Sequence, residues 1–415
     1  MKALSPIILF LATYLGGSIL LKDFYALPII IAFLIASLYS IFFLKKGSLE
    51  DRLSTFSKGA GHQNIMYMVL IFIMAGAFAS FAKSIGAIDA TVNMCLSVLP
   101  SSFLLPALFI AACLVSMSIG TSVGTIVALA PIASGVAAQT GASIPLYTAC
   151  IVGGAFFGDN LSFISDTTIM ATRTQGIAMQ DKFKANFRIA LPAALVTVVI
   201  YTLLGAGSQA VYEAGSVNYL LVLPYLVVLL TAVWGVNVIL VLTIGILVCL
   251  LLGFTVSKLP FTEMLAAMNA GVTNMSELIV VTMLAGGLMA LVQNDGGIDF
   301  LMNHLKKGIK GRRGAEASIA LMTLTADFCT ANNTIAILTV SDLAKQISSE
   351  YGIPAKRTAS LLDTWSCIAQ ALIPYGAQLL IAASLVAISP AQIIPYLFYP
   401  FVLAAICFGS ILFRK

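Results

Sequence analysis

The chain has 415 residues, 60% of them hydrophobic and only 9% charged, with a formal net charge of +5. A soluble domain carries roughly 25% charged residues, and no soluble fold of this length could hide so much apolar surface. The basic residues sit in short loops, a pattern that speaks against a nucleic-acid surface and for orientation in a membrane.

A membrane-spanning helix needs about 20 mainly apolar residues. In chain order such stretches run over Leu4–Leu21 and Leu27–Leu44, an N-terminal pair within 1–44. Ile65–Ala82 and Ile189–Leu204 belong to a first unit, 45–206. Leu220–Trp234 and Val238–Phe254 form a connection, 207–254, and Leu278–Val292 and Ile393–Phe413 belong to a second unit, 255–415. Lys2 followed by an apolar run reads as the start of a first span, because no small-residue cleavage site follows. Cys95, Cys113, Cys150, Cys249, Cys329, Cys367 and Cys407 mostly lie in apolar runs without metal or redox spacing and read as small core residues.

The two units share a weak repeat. At a shift of 210 positions Gly61 meets Gly271, Asn64 meets Asn274, Gly76 meets Gly286, Gly86 meets Gly296, Asp89 meets Asp299 and Asn93 meets Asn303. At 209, Thr121 meets Thr330, Thr125 meets Thr334 and Pro145 meets Pro354. Apolar matches mean little in so apolar a chain, whereas the Asn, Asp, Thr and Pro matches point to duplication.

Loop charge orients the units, since Lys and Arg favour the cytoplasmic side. Lys45, Lys46, Arg52 and Lys58 precede the first repeat, against Lys258 alone before the second. The next loop reverses the bias: 84–101 has no Lys or Arg, while 303–313 has Lys306, Lys307, Lys310, Arg312 and Arg313. Equivalent loops on opposite sides define an inverted-topology repeat. Arg173, Lys182, Lys184 and Arg188 make 173–188 a cytoplasmic loop too, so 102–138 must turn back on itself with Ser118–Thr125 at its tip. Residues 314–346 do the same around Asp327–Thr334, as re-entrant hairpins or as pairs of full spans. The expected fold is an all-α polytopic membrane protein with helical hairpins and broken helices, about 14 helical segments, and both termini cytoplasmic.

Lipid-facing backbone must satisfy its own hydrogen bonds, so polar or glycine-rich stretches at membrane depth line a cavity or lie against protein. Four stand out: 118–125, 158–168, 327–334, and Asp363-Thr-Trp-Ser366 continuing to Gln370, Pro374, Tyr375 and Gln378. Each acid in them, Asp159, Asp166, Asp327 and Asp363, costs about 2.5–3.5 kcal/mol at a helix centre, and no Lys or Arg lies within these segments. They must face water, a cation or one another, or carry protons. Competition between a proton and Na⁺ for one carboxylate is sufficient chemistry for antiport. Asp159 and Asp166, seven residues apart, fall near one helical face and are the primary ion and proton ligands, the only metal-ion ligands expected. Asn160, Ser162, Ser165, Thr167 and Asp363 are further candidates, and Thr121, Ser122, Thr125, Asn332, Asn333 and Thr334 are candidate substrate contacts from the hairpins. Asp327 and Asp363 have an alternative as helix caps. Trp234 reads as an interface anchor and Trp365 as a candidate cavity wall.

Phe157-Gly-Asp-Asn-Leu-Ser-Phe-Ile-Ser-Asp-Thr-Thr168 resembles the signature of the NhaC-type Na⁺/H⁺ antiporters of the ion transporter superfamily, approximately Gly-Asp-Lys-(Leu/Met)-Ser-Pro-Leu-Ser-Asp-Thr-Thr. Gly158, Asp159, Leu161, Ser162, Ser165, Asp166, Thr167 and Thr168 match. The resemblance implies cation-coupled exchange at a prokaryotic inner membrane, with the acidic motif in ion binding. Asn160 stands in place of the family Lys and Phe163 in place of Pro, which removes a charge partner of the acids. The transported Na⁺ and H⁺ are the expected ligands, with no cofactor. A Na⁺- or H⁺-coupled exchanger of a small organic acid or amino acid is the alternative, and a homodimer is left open.

Other classes fit less well. An intramembrane aspartyl protease needs a Tyr-Asp, which the chain lacks, and an ATP-driven pump needs a Gly-Lys-Ser/Thr phosphate loop, also lacking. Carboxylates at mid-membrane in a duplicated chain favour coupled transport over a passive channel.

Overall fold

A computed structural model describes residues 4–21, 28–44, 46–98, 100–163, 165–206, 217–306 and 309–413. Lys2, Leu27, Lys45, Ile164, Lys307 and the first part of the expected connection, 207–216, lie outside them. Among the described residues the regular structure is helical, with 21 α-helices and a 3₁₀ turn at Ile394–Tyr396.

Helices α1 (Ser5–Leu21) and α2 (Ile29–Phe43) come first. A series of eight follows: α3 (Leu49–Ala60), α4 (Gln63–Ser84), α5 (Ala87–Val98), α6 (Ser101–Ile119), α7 (Ser122–Thr140), α8 (Ile144–Leu161), α9 (Asp166–Gln175) and α10 (Met179–Ala206). After α11 (Tyr219–Val233) and α12 (Val238–Thr255) the series recurs. It runs through α13 (Phe261–Asn274), α14 (Ser276–Asn294), α15 (Gly297–Lys306), α16 (Gly311–Thr330), α17 (Asn333–Glu350), α18 (Ala355–Leu372) and α19 (Ala377–Val386), ending in a bent run of α20 (Pro390–Ile393) and α21 (Phe398–Leu412). The fourteen expected segments are all present. The additional helices, α3, α5, α9, α13, α15, α19 and α20, are either too polar to read as spans or are split from a neighbour by a cap or a Pro.

Among the described residues seven helices or helix pairs are long and apolar enough to cross a membrane, eight if the run bent by 54° at Leu397 is one span. The outer faces of α10, α11 and α12 expose Leu195, Val199, Leu203, Leu226, Leu240, Leu247 and Leu251. Such continuous apolar faces belong against lipid. The protein is an integral membrane protein. Trp234, 76% exposed after α11, suits an interface position. By contrast, α8 from Tyr147 to Leu161 and α18 from Arg357 to Ala371 are buried on every side. These two helices carry Asp159, Asn160 and Asp363.

The backbone fixes the repeat register more firmly than residue identity does. Gly86 and Gly296 both follow a helix in the left-handed region, at φ 83° and 77°, which keeps the shift of 210. Beyond them the shift is 211. Gly120 and Ala331 end the first hairpin arms at φ 74° and 49°, and Gly176 and Ala387 end α9 and α19 at φ 68° and 55°. The shift of 209 is therefore corrected. Thr121 corresponds to Asn332, both extended N-caps (φ −146° and −150°), while Thr330 is still the last residue of α16. Chance identity among the hydroxyl residues at the tips misplaces the register by two.

The halves interlock through their small residues. A methyl group on Gly271 of α13 would lie 2.0 Å from the carbonyl oxygen of Gly76 on α4. On the other side, one on Gly59 of α3 would lie 2.5 Å from the carbonyl oxygen of Gly286 on α14. The first helix of each half thus packs on the second helix of the other.

Candidate ion-binding site

The site begins with a broken helix. α8 stops at Leu161 and α9 starts at Asp166, so the carbonyls of the last turn of α8 lose their helical donors. Side chains replace them. Ser165 Oγ donates to the Asp159 carbonyl at 2.9 Å, and Thr168 Oγ1 donates to the Ser162 carbonyl at 2.8 Å. The Asn160 carbonyl accepts from Lys182 Nζ at 2.6 Å and from Asn186 Nδ2 at 3.2 Å. Ser165 also caps α9, accepting from the Thr168 backbone N–H at 3.2 Å. Ser162 and Ser165 thus hold the break itself. The seven-residue spacing of Asp159 and Asp166 is not two turns of one helix, as the sequence suggested, because the hydroxyl-rich segment between them supplies its own caps.

Both acids nevertheless reach one cavity of about 330 Å³. Its walls bring together Thr121 and Ser122 at the first hairpin tip, Asn332, Asn333 and Thr334 at the second, Thr167 on α9, Gln378 on α19, and Asn64 and Tyr67 on α4. Asp159 is 5% exposed, and Ser122 Oγ donates to its Oδ2 at 3.0 Å. Asp166 opens α9 and is exposed. Gln378 Nε2 donates to Ser122 Oγ at 3.2 Å, and Gln370 Nε2 donates to Gln378 Oε1 at 2.8 Å. Part of the hairpin polarity is spent on the backbone: Asn332 Oδ1 accepts from the Ile335 N–H and Asn333 Oδ1 from the Thr334 N–H, each at 3.0 Å. Thr125 turns away, donating to the Thr121 carbonyl within α7 at 3.1 Å, and does not line the cavity. Trp365 does not line it either.

A second centre lies behind the first. Asp363 Oδ2 accepts from Lys182 Nζ at 2.7 Å, from Asn186 Nδ2 at 2.7 Å and from Asn160 Nδ2 at 3.2 Å. Lys182 and Asp363 are both fully buried, and Lys182 also donates to Thr168 Oγ1 at 2.6 Å. Three acceptor oxygens here, Asp363 Oδ1, Asn160 Oδ1 and Asn186 Oδ1, have no partner among the described residues. Two sequence expectations are corrected. Lys182 is not a solvated loop residue: it stands on the first turn of α10 and is drawn inward by the carbonyl and carboxylate that the break presents. Nor are Asp327 and Asp363 helix caps, since both sit inside helices, and Asn332 and Ser165 do the capping. Asp327 occupies the place of Ser116 in the other half, and its carboxyl oxygens have no hydrogen-bond partner among the described residues.

Lys182 and Asn186 were missed because basic side chains near a span end ordinarily read as orientation signals. Their spacing of four, facing one side immediately before an apolar run, was the available signal.

No group of three or more His, Cys, Asp or Glu side chains converges among the described residues. A cation beside Asp159 would therefore draw its other ligands from neutral hydroxyl, amide and carbonyl oxygens, the donor set suited to a hard monovalent ion.

Two interlocked helical series, lipid-facing outer walls and a polar cavity lined by one buried and one exposed acid define a polytopic membrane transporter, not an enzyme. The model of the Na⁺/H⁺ antiporter family matches residues 3–206 and 209–414, and the chain belongs to that family. It is 26% identical to the Na⁺/H⁺ antiporter NhaC of Bacillus subtilis (strain 168) over 82% of each chain. It is 22% identical to the Na⁺/H⁺ antiporter NhaC of Alkalihalophilus pseudofirmus, over 80% of this chain and 79% of that one. The arginine/ornithine antiporter ArcD of Halobacterium salinarum is 21% identical over 71% of this chain and 69% of its own. Na⁺/H⁺ antiport is the activity supported by this membership, which does not favour the organic-acid alternative.

Proposed function

We propose that Na⁺ and H⁺ exchange by competing for the Asp159 carboxylate, with Asp166 at the mouth of the same cavity as a second, more exposed cation ligand. One contrast carries this reading: Asp159 and Asp363, the buried acids of α8 and α18, are not equivalent. Asp363 is tied to a resident ammonium, whereas Asp159 has only the Ser122 hydroxyl on its Oδ2 and no ion pair among the described residues. An incoming cation or proton meets no internal competitor at Asp159. Ser122, Thr121, Thr167 and the amides of Asn332, Asn333 and Gln378 complete the polar lining.

A second cavity, about 370 Å³, supports alternating access. It is lined by Asn274, Glu277, Leu278 and Leu380, the repeat equivalents of Asn64, Tyr67, Met68 and Ile169 around the first. Tyr14, Pro28 and Ile29, from α1 and the start of α2, cover it. In this reading the halves have inverted topology, and the two cavities are the mouths used in turn. In the same reading both termini are cytoplasmic, which the basic loops support, and the membrane is a prokaryotic inner membrane.

Binding of radioactive Na⁺ to the purified protein tests the competition. In the acidic range each tenfold rise in proton concentration is expected to raise the apparent Kd for Na⁺ about tenfold, because one proton must leave for each ion bound. Na⁺ binding indifferent to pH would rule out a shared carboxylate.

A further inference from the structure

The end of the bundle where α10 and α18 begin and α21 finishes carries a cleft of about 530 Å³. Lys184 and Arg188, one turn apart on α10, face Lys356 and Arg357 at the start of α18 across it. Arg357 is already paired, its Nη2 2.8 Å from Glu316 Oε2. Lys184, Arg188 and Lys356 are exposed and make no side-chain hydrogen bond or ion pair among the described residues. Asp181 at the rim is the acid of the lining, which leaves the unpaired groups with a net charge of about +2. The apolar part of the lining is Ala185 and Ile189, with the 84% exposed Phe413 at the edge.

We propose that this cleft is an anion site for a phosphate group, and that acidic phospholipid is its natural source. Three unpaired cations around one opening suit a phosphate, and basic clefts between membrane helices take anionic headgroups. The apolar lining beside Phe413 gives the attached glycerol and acyl chain a dry path out to the bilayer. Basic loops face the cytoplasm, so the headgroup belongs to the inner leaflet. Lys182 stands two residues before Lys184 on α10, and Asp363 is two turns along α18 from Lys356. A phosphate bridging Arg188 and Lys356 therefore fastens together the two helices that carry the buried pair.

The test uses the full chain in a neutral detergent, with melting followed by intrinsic fluorescence. Phosphatidylglycerol at about a hundredfold excess over its Kd should raise Tm by about 3 °C, and phosphatidylcholine should not. The variant Arg188→Gln/Lys356→Gln should keep the parent Tm without lipid and lose the shift. A matching shift with inorganic phosphate alone would establish the anion site and overturn the lipid assignment. The proposal as a whole falls if neither anion raises Tm, if phosphatidylcholine does so equally, or if the double variant responds like the parent.

Discussion

Lys182→Met is expected to abolish Na⁺-driven proton flux in proteoliposomes, and Asn160→Lys in the same chain to restore much of it. Lys182 Nζ is the basic group paired with the fully buried Asp363 carboxylate among the described residues. Its removal leaves an uncompensated buried charge, at a cost of about 3–5 kcal/mol, and strips a donor from the Asn160 carbonyl at the broken end of α8. The rescue follows from where position 160 points. Asn160 Nδ2 already lies 3.2 Å from the same Asp363 Oδ2 that Lys182 holds at 2.7 Å. A lysine there, as in the family signature, can deliver an ammonium to that oxygen from the opposite side. Lys182→Met/Asp363→Asn removes both charges and should recover the thermal stability lost in the single variant. If neither double variant regains stability, Lys182 is not the counter-charge of Asp363.

Asp159→Asn should lower exchange by at least about 100-fold, while Asp166→Asn should weaken apparent Na⁺ affinity by no more than about fivefold. The asparagine at 159 keeps an oxygen for the Ser122 hydroxyl, so the hairpin tip stays in place. What disappears is the charge that binds either Na⁺ or a proton in a site shielded from water; an interaction with a charged group at such depth is worth about 1.5–3 kcal/mol or more. Asp166 is exposed at the start of α9, where a single charge contributes about 0–1 kcal/mol. Initial rates against Na⁺ concentration separate the two effects. Full-rate exchange by Asp159→Asn, or equal losses in both variants, would remove Asp159 from the centre of the mechanism.

The helical segments and the turn-backs between them are legible in the sequence because apolar length is a one-dimensional signal. The cavity is legible for a related reason: polar residues are scarce here, so Thr121, Ser122, Asp159, Asp166, Asn332, Asn333 and Thr334 stand out, and all of them line it. Three things are not legible. The register at the hairpin tips depends on left-handed turns at Gly120 and Ala331, and only glycine announces such a turn. In the corrected register Asp159 corresponds to Gln370 and Asp166 to Ala377, whereas a shift of 209 would set them opposite Ile368 and Tyr375. The halves therefore place an acid and an amide at equivalent points, and the amide is joined to the acid through Gln378 and Ser122. The inward turn of Lys182 depends on carbonyls freed by a break in another helix. The division of labour between Asp159 and Asp363 depends on which of them that lysine reaches.

The Lys182–Asp363 pair also bears on how the membrane potential acts. A unit charge crossing 100 mV exchanges about 2.3 kcal/mol with the field. The pair sums to zero, so as α10 and α18 travel together the field does no net work on these two side chains. Under the proposed exchange an Asp159 carrying either Na⁺ or H⁺ is likewise neutral. Voltage is then left with the empty carboxylate and with Asp166 at the mouth. In that reading the lysine held inside the protein leaves the buried pair and the loaded Asp159 without net charge, so neither would feel the field as it moves.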